Sequence, residues 1–210
     1  MTIRPAALEK SISIMGSRAE CLTEIFRDEV NLAVWNRVLQ PRVSEFAAAL
    51  TGCAGQLDRF VSLSEGDSVA LALPNWALKM DGADAWVADA DELVDMFRVL
   101  FEPGAVGLRL HVLQGTMCPR FHVDRVPVRL LCTYQGVGTE WLPEEKVIRP
   151  KSSGPLPDQP VGASDSERLP TGAIGLLKGE AWVGNEGRGL VHRSPEPGEQ
   201  PRLVLALDWL

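Results

Sequence analysis

The sequence is poor in cysteine, histidine and tyrosine, and it contains no long apolar run. Its four cysteines form no C-x-x-C pair, which argues against a zinc knuckle or a thioredoxin-type site. No apolar stretch approaches the ~20 residues that are needed to cross a bilayer. The N-terminal residues also lack the apolar centre of a signal peptide. We therefore expect a cytoplasmic protein with reduced thiols and no membrane partner.

Acidic side chains outnumber basic ones, 28 to 21, so the formal net charge is -7. A broad basic surface is therefore not expected, and the composition predicts no nucleic-acid partner. No G-x-x-x-x-G-K-[ST] string is present, which excludes a P-loop. The chain has 210 residues, 45% of them apolar, which is enough for one substantial core. Nothing in the composition indicates an oligomeric state.

Residues 1–104 carry the periodicity of helices. Apolar residues recur at three- and four-residue steps over residues 19–39, 43–50 and 89–101. Pro41 suits the first turn of the second of these segments. We therefore predict a mainly helical N-terminal part that packs on the remainder of the chain.

Residues 105–210 carry the pattern of short strands separated by turns. Strands are predicted at residues 106–114, 121–124, 128–134, 139–142, 172–178, 190–192 and 202–207. Proline, glycine and serine dominate residues 149–170, which predicts a flexible loop or a lid. Many short strands favour a sandwich or a barrel. The predicted class is α+β, with both parts forming one compact unit.

The string His122-Val123-Asp124 lies in one of these predicted strands. Residues i and i+2 of a strand point to the same face, so the imidazole and the carboxylate leave the backbone side by side. Two histidines and one carboxylate, with open positions, suit non-haem Fe(II). His192 lies near a strand end in the same half, and it is the candidate third ligand. Arg202 follows ten residues later and opens the last strand.

A His-x-Asp pair, a distal His and a basic residue ten positions later together resemble the Fe(II)/2-oxoglutarate dioxygenases. The resemblance covers roughly residues 106–208 and implies a double-stranded β-helix (jelly roll, cupin-like) core. It implies that His122, Asp124 and His192 bind Fe(II), and that Arg202 pairs with the distal carboxylate of 2-oxoglutarate. The implied reaction is hydroxylation of a substrate, either a small molecule or a protein side chain, whose identity stays open.

The sequence departs from this family pattern beside the arginine. Many members carry Ser or Thr two residues after it, where this chain has Val204. The usual second hydrogen-bond partner of 2-oxoglutarate is therefore not evident from the sequence. Tyr134 is the candidate for that role.

A different interpretation of the same residues is a metal-binding protein without catalysis. The strings C-P-R-F-H-V-D, T-Y-Q-G-V-G-T-E-W-L and V-H-R-S-P resemble a bacterial family of domains of unknown function. That resemblance implies a role in metal homeostasis. In this alternative the three ligands bind Zn(II) or iron, with Cys118 as a candidate fourth ligand, because thiolate and imidazole both favour zinc. A third interpretation is a jelly-roll scaffold that binds no metal.

Overall fold

The computed structural model describes residues 10–150, 154–162, 164–196 and 198–210. Its strands are β1 (Ile12–Gly16), β2 (Val30–Trp35), β3 (Leu57–Leu63), β4 (Val106–Leu113), β5 (Val128–Gln135), β6 (Glu140–Trp141), β7 (Glu167–Arg168), β8 (Ile174–Lys178), β9 (His192–Arg193) and β10 (Arg202–Trp209). The α-helices are α1 (Pro41–Ala54) and α2 (Ala83–Phe101), and 3-10 helices span Ala19–Phe26, Val69–Ala72, Ala77–Lys79 and Glu144–Lys146. Residues 1–9, on which the prediction of no signal peptide rests, lie outside the described residues, as does part of the predicted loop.

The strands form a large sheet and a small one. The large sheet has the order β1-β2-β8-β5-β10-β4-β3, and the small sheet has the order β7-β6-β9. Strands β1 and β2 pair in parallel, whereas the pairs along the rest of the large sheet are antiparallel. Strands from the first 104 residues form both edges of the large sheet. The prediction of a mainly helical first part is therefore wrong on this point.

Residues 19–39 show why that prediction failed. They form the 3-10 helix Ala19–Phe26 and strand β2 instead of one long helix. Residues Val30 to Val34 are all buried, because β2 pairs with strands on both sides and is covered on both faces. A strand buried on both faces has no alternation, and its apolar run cannot be told from a helix by periodicity alone.

The two α-helices were predicted correctly, although their ends differ. Helix α1 begins at Pro41, in the first turn where proline is tolerated. Helix α2 begins at Ala83, six residues before the predicted start, and it ends at Phe101 as expected. None of the described helices is both long enough and apolar enough to cross a membrane.

Two apolar clusters divide the molecule into layers. The first lies between the helices and the large sheet and includes Trp86, Phe97 and Leu205. The second lies on the other face of the large sheet and includes Val204 together with Trp141 from the small sheet. Successive residues of a strand point to opposite faces, so β10 contributes to both clusters. The second face, between the two sheets, is where the candidate site lies. The mixed α+β class is confirmed.

Candidate metal centre

Three predicted ligands meet between the small sheet and the large sheet. One donor atom from each of His122, Asp124 and His192 lies within 4.8 Å of the others. The two histidines form an antiparallel bridge, in which each backbone N–H donates to the other's carbonyl at 2.9 and 3.0 Å. The bridge places the two rings 4.5 Å apart between centroids. The predicted strand at residues 121–124 is thus reduced to a single bridging residue, but it still brings the ligands together.

Hydrogen bonds orient both imidazoles. Nδ1 of His122 lies 3.0 Å from the carbonyl oxygen of Arg120, and Nδ1 of His192 lies 3.0 Å from that of Leu190. A carbonyl oxygen only accepts, so each Nδ1 carries the proton and each Nε2 presents a lone pair. These Nε2 atoms face Asp124, at 4.0 Å from its Oδ1 and 3.3 Å from its Oδ2, respectively.

Of the two carboxylate oxygens of Asp124, one accepts a hydrogen bond and the other does not. Its Oδ1 accepts a 2.8 Å hydrogen bond from Nη1 of Arg129, whereas Oδ2 is buried without a donor. An unsatisfied buried oxygen is costly unless a cation lies beside it. Oδ2 and the two Nε2 lone pairs converge, and this donor set fits a metal ion held by three protein ligands.

The surroundings keep two of the candidate ligands, Asp124 and His122, in the protonation states that metal binding requires. Burial opposes ionisation of Asp124, but neighbouring positive charge, including that of Arg129, outweighs it, so the pKa of the carboxyl lies well below its usual range. The pKa of His122 is lowered mainly by burial and to a smaller extent by the neighbouring His192. At neutral pH the carboxyl is therefore ionised and the imidazole of His122 is neutral, as coordination requires.

A small cavity of about 110 Å³ is lined by His122 and His192, and by Arg129, which donates to Asp124. Its polar wall is basic, and the basic side chains in addition to the two histidine ligands are those of Arg109, His111, Arg129, Arg193 and Arg202. Apolar side chains of the second cluster, including Leu131, Val204 and Ala206, complete the wall. A cavity of this composition suits a small anionic molecule.

Arg202 lies in this cavity without an acidic partner. Its side chain donates to the hydroxyls of Thr133 and Thr139 at 3.1 and 2.6 Å and approaches Ser194 at 3.5 Å. Nε is buried with no partner, and the residue is 8% exposed. No acid among the described residues is within ion-pair distance of it, and burial lowers its pKa to about 10. A buried guanidinium whose hydrogen-bond partners are all hydroxyls keeps an uncompensated positive charge, which favours the binding of an anion.

Comparison with known proteins agrees with one of the sequence resemblances. The family described as "Protein of unknown function (DUF1826)" matches residues 16–208. The chain belongs to the DUF1826 family. Among curated proteins, none matches the sequence. The link to metal homeostasis stays a prediction.

Solved structures resemble this DUF1826 chain over most of its length, and they include one from rice and one from Neurospora crassa. The dioxygenase for auxin oxidation (DAO) in rice is 14% identical, with a TM-score of 0.54 over 96% of this chain and 83% of its own. A full-length protein of Neurospora crassa, solved in complex with alpha-KG (2-oxoglutarate), is 12% identical, with a TM-score of 0.52 over 95% of this chain and 84% of its own. At these identities the likeness shows a shared fold and nothing more.

Tyr134 of the DUF1826 chain is not part of the cavity, so its predicted role in co-substrate binding is corrected. Its hydroxyl donates to Asp89 of helix α2 at 2.7 Å, and its ring packs on Trp86 with centroids 5.3 Å apart. Thr133 faces the cavity, and the next residue of a strand must point to the opposite face. Tyr134 therefore belongs to the layer between the helices and the large sheet.

Cys118 lies beside the site but outside the ligand cluster. It is exposed and contributes to the cavity wall. Its sulfur is not among the donor atoms that converge with those of His122, Asp124 and His192. The fourth, thiolate ligand of the zinc hypothesis is therefore not supported.

A larger, open cavity of about 660 Å³ lies on the other side of His122. Phe121 and Val123 form part of its wall, together with the exposed Arg125. Residues 154–156, from the loop predicted at 149–170, also line it. A metal held by His122 would thus adjoin two spaces, a small basic one and a larger open one.

Four residues that lie in or beside the site were assigned no role at the metal centre from the sequence. They are Arg129, Thr133, Thr139 and Asp208, all of which are buried or half-buried on the cavity side. A signal for three of them was present. Arg129 and Thr133 lie two residues on either side of Leu131 in β5, so all three point to the same face. Asp208 lies six residues after Arg202 in β10 and likewise shares its face. Polar residues at even spacing in otherwise apolar strands indicate a polar face.

Proposed function

We propose that this protein is an oxygenase that uses Fe(II) and 2-oxoglutarate to hydroxylate a substrate. The observation that carries the proposal is a group of three candidate metal ligands, two of which, His122 and His192, line one cavity with the buried Arg202. Among the described residues, that arginine has no acidic partner. A metal-binding protein needs the first of these features but not the second. The fold shared with the rice dioxygenase, and with the Neurospora crassa protein in complex with alpha-KG, supports the same conclusion.

Three side chains would hold the metal. His122 and His192 offer Nε2, and Asp124 offers Oδ2, the oxygen that lacks a hydrogen-bond donor. Two imidazoles and one carboxylate leave positions open for other ligands, which suits Fe(II). With 2-oxoglutarate, the iron supplies the activation of dioxygen that hydroxylation requires.

Arg202 would bind the distal carboxylate of 2-oxoglutarate. Its planar guanidinium can form two parallel hydrogen bonds with a carboxylate. Thr133 and Thr139 orient the guanidinium without neutralising it, so the positive charge is available to the ligand. The apolar side chains of Leu131, Val204 and Ala206 line the same cavity as Arg202, and an apolar wall would strengthen the ion pair.

The substrate would approach through the open cavity beside His122. That cavity is about 660 Å³, whereas the basic one is about 110 Å³. The small cavity is therefore suited to the co-substrate, and the large one to a molecule or side chain that reaches the metal from outside. The class of substrate, small molecule or protein side chain, is left open by these dimensions.

The proposal is tested by metal content and by turnover. Protein purified without a tag or added metal is analysed by mass spectrometry beside a His122→Ala/His192→Ala variant. We expect iron in the wild type and none in the variant. Candidate substrates are then incubated with protein, Fe(II), 2-oxoglutarate and dioxygen, and succinate is measured. Succinate that is absent with Asp124→Ala supports an oxygenase.

Two other outcomes would favour the alternatives. Stoichiometric zinc without succinate from any substrate class would indicate a non-catalytic metal-binding protein. If the purified protein contains no metal and takes up neither Fe(II) nor Zn(II) on reconstitution, the remaining interpretation is a scaffold that binds no metal.

A further inference from the structure

A row of buried ion pairs leads away from the metal ligand Asp124. Nη1 of Arg129 donates to Oδ1 of Asp124 at 2.8 Å. Nε and Nη2 of the same guanidinium donate to the two oxygens of Asp208, at 2.7 and 3.0 Å. Asp208 is 3% exposed and also accepts from Nε of Arg109 at 3.2 Å. Three of the nitrogens of Arg129 are thus committed to two carboxylates.

We infer that Asp208, which does not touch the metal site, positions the metal ligand Asp124 by holding Arg129 against one of its oxygens. The inference rests on the metal site of the proposed function. It adds a positioning residue 84 places along the chain from the ligand that it serves. Carboxylates and other groups behind metal ligands fix the ligands' orientation, and their loss weakens metal binding about 10- to 100-fold.

The strand register explains why Asp208 can do this. Asp208 of β10 pairs directly with Arg129 of β5, and their side chains therefore lie on the same face of the sheet. The bidentate contact with Asp208 fixes the plane of the guanidinium. Only Nη1 then reaches Asp124, and it reaches Oδ1 alone, so Oδ2 is left to face the histidines.

Asp208 also prevents Arg129 from competing with the metal. Without Asp208, the remaining acidic partner of the buried Arg129 is Asp124. A guanidinium prefers to bind a carboxylate through two parallel hydrogen bonds. Arg129 would then take both oxygens of Asp124, including the one that the metal requires.

The test measures metal affinity independently of turnover. Mn(II), which does not oxidise readily, is titrated calorimetrically into the wild-type protein and the Asp208→Asn variant. Unfolding temperature without metal is recorded for each. We expect the Kd for Mn(II) to rise about 10- to 100-fold in Asp208→Asn.

The chain offers a matched control on the opposite face of the large sheet. Asp89 forms a similar buried bidentate pair with Arg37, at 2.6 and 2.8 Å. Asp89→Asn should lower the unfolding temperature as Asp208→Asn does, but it should leave the Kd for Mn(II) unchanged. An equal loss of affinity in both variants would show a general effect of destabilisation and would overturn the inference.

A second variant separates positioning from charge. Arg129→Leu/Asp208→Leu replaces the pair by apolar residues, which is often neutral for folding. It removes one positive and one negative charge, so its net charge equals that of the wild type. Positioning predicts weaker Mn(II) binding, because Asp124 loses the donor that orients it. A purely electrostatic effect predicts equal or tighter binding, because the deleted guanidinium lies nearer the ligands than the deleted carboxylate, and that result would overturn the inference. This variant decides the question if Asp208→Asn does not fold.

Failure of this inference differs from failure of the proposed function. If the wild type does not bind Mn(II), the metal site itself is refuted, and the role of Asp208 falls with it. If the wild type binds Mn(II) and Asp208→Asn binds it equally well, the metal site stands and only the positioning role is refuted.

Discussion

Replacing Arg202 by methionine should make the protein without ligands more stable while it removes co-substrate binding. The two effects have opposite signs because the wild-type residue is a buried charge with no acidic partner. Such a residue costs stability until a carboxylate arrives. A paired buried arginine behaves in the opposite way, because removing it leaves its acidic partner unpaired.

The size of the stability effect follows from the pKa of Arg202, which burial lowers from 12.5 to about 10. At about 1.4 kcal/mol per unit of pKa, the buried charge costs roughly 3 kcal/mol at neutral pH. Methionine removes this cost but leaves the hydroxyls of Thr133 and Thr139 without their donor, at about 1 kcal/mol each. The net gain is about 1 kcal/mol, or roughly 2–4 °C in unfolding temperature.

The same substitution removes the partner of the 2-oxoglutarate carboxylate. Truncating one member of a buried charge pair costs about 2–5 kcal/mol of binding energy, which raises the Kd roughly 30-fold or more. The wild type with Mn(II) and 2-oxoglutarate at about 100 times its Kd should gain about 2.7 kcal/mol, or roughly 5–10 °C. The variant should gain much less at the same concentration.

Thermal unfolding of three proteins, with and without the ligands, tests this reasoning. Arg202→Met is compared with the wild type and with Arg37→Met, whose arginine is paired with Asp89. Without ligands we expect Arg202→Met to unfold at a higher temperature than the wild type, and Arg37→Met at a lower one. The reasoning is refuted if Arg202→Met lowers the unfolding temperature as Arg37→Met does, or if 2-oxoglutarate stabilises Arg202→Met as much as the wild type.

Three other substitutions test separate parts of the account. Tyr134→Phe removes the hydrogen bond to Asp89 and should cost about 1–2 kcal/mol of unfolding free energy in denaturant titration; a change in 2-oxoglutarate affinity would show that Tyr134 does serve the site. In Gly179→Ala, the new Cβ would lie 2.0 Å from the carbonyl oxygen of Val126, so the segment that follows the ligand Asp124 must move. Calorimetry should then show a Kd for Mn(II) at least about tenfold higher, and an unchanged Kd would contradict this. Burial lowers the pKa of Lys178 to about 8, so the unfolded state holds that proton more tightly. The stability of the wild type relative to Lys178→Met should therefore rise as the pH increases from about 8 to about 10, and a fall over that range would refute the sign.

The grouping of the three candidate ligands could be predicted because histidine is confined to few positions. Only three histidines are present, and the spacing of His122 and Asp124 places both on one side of an extended chain. The bridge between His122 and His192 could not be predicted, because pairing between residues 70 positions apart depends on the fold of everything between them.

The partners of Arg202 were harder to predict for a related reason. Tyr134 and Thr133 are adjacent in sequence, and only the register of β5 determines which of them faces the cavity. A shift of one residue exchanges the two faces of a strand. The structure places Thr133 opposite Val204 of β10, and its hydroxyl therefore reaches Arg202.

The strands of the first hundred residues were missed because of where they lie. Strand β2 is buried on both faces and has no alternation. Strand β3 is an edge strand with mostly exposed residues, and its apolar pattern is correspondingly weak. The helices α1 and α2 each bury one face, so their periodicity was readable.

The most direct test of the central claim is a calorimetric titration of 2-oxoglutarate into the Fe(II)-loaded protein in the absence of oxygen. The account predicts saturable binding of one 2-oxoglutarate per chain in the wild type. It predicts no such binding in Asp124→Ala, which lacks a metal ligand, or in metal-free wild type at the same concentrations. Binding that is unaffected by removal of the metal or of Asp124, or no binding to the loaded wild type, would contradict the claim that His122, Asp124, His192 and Arg202 form one site.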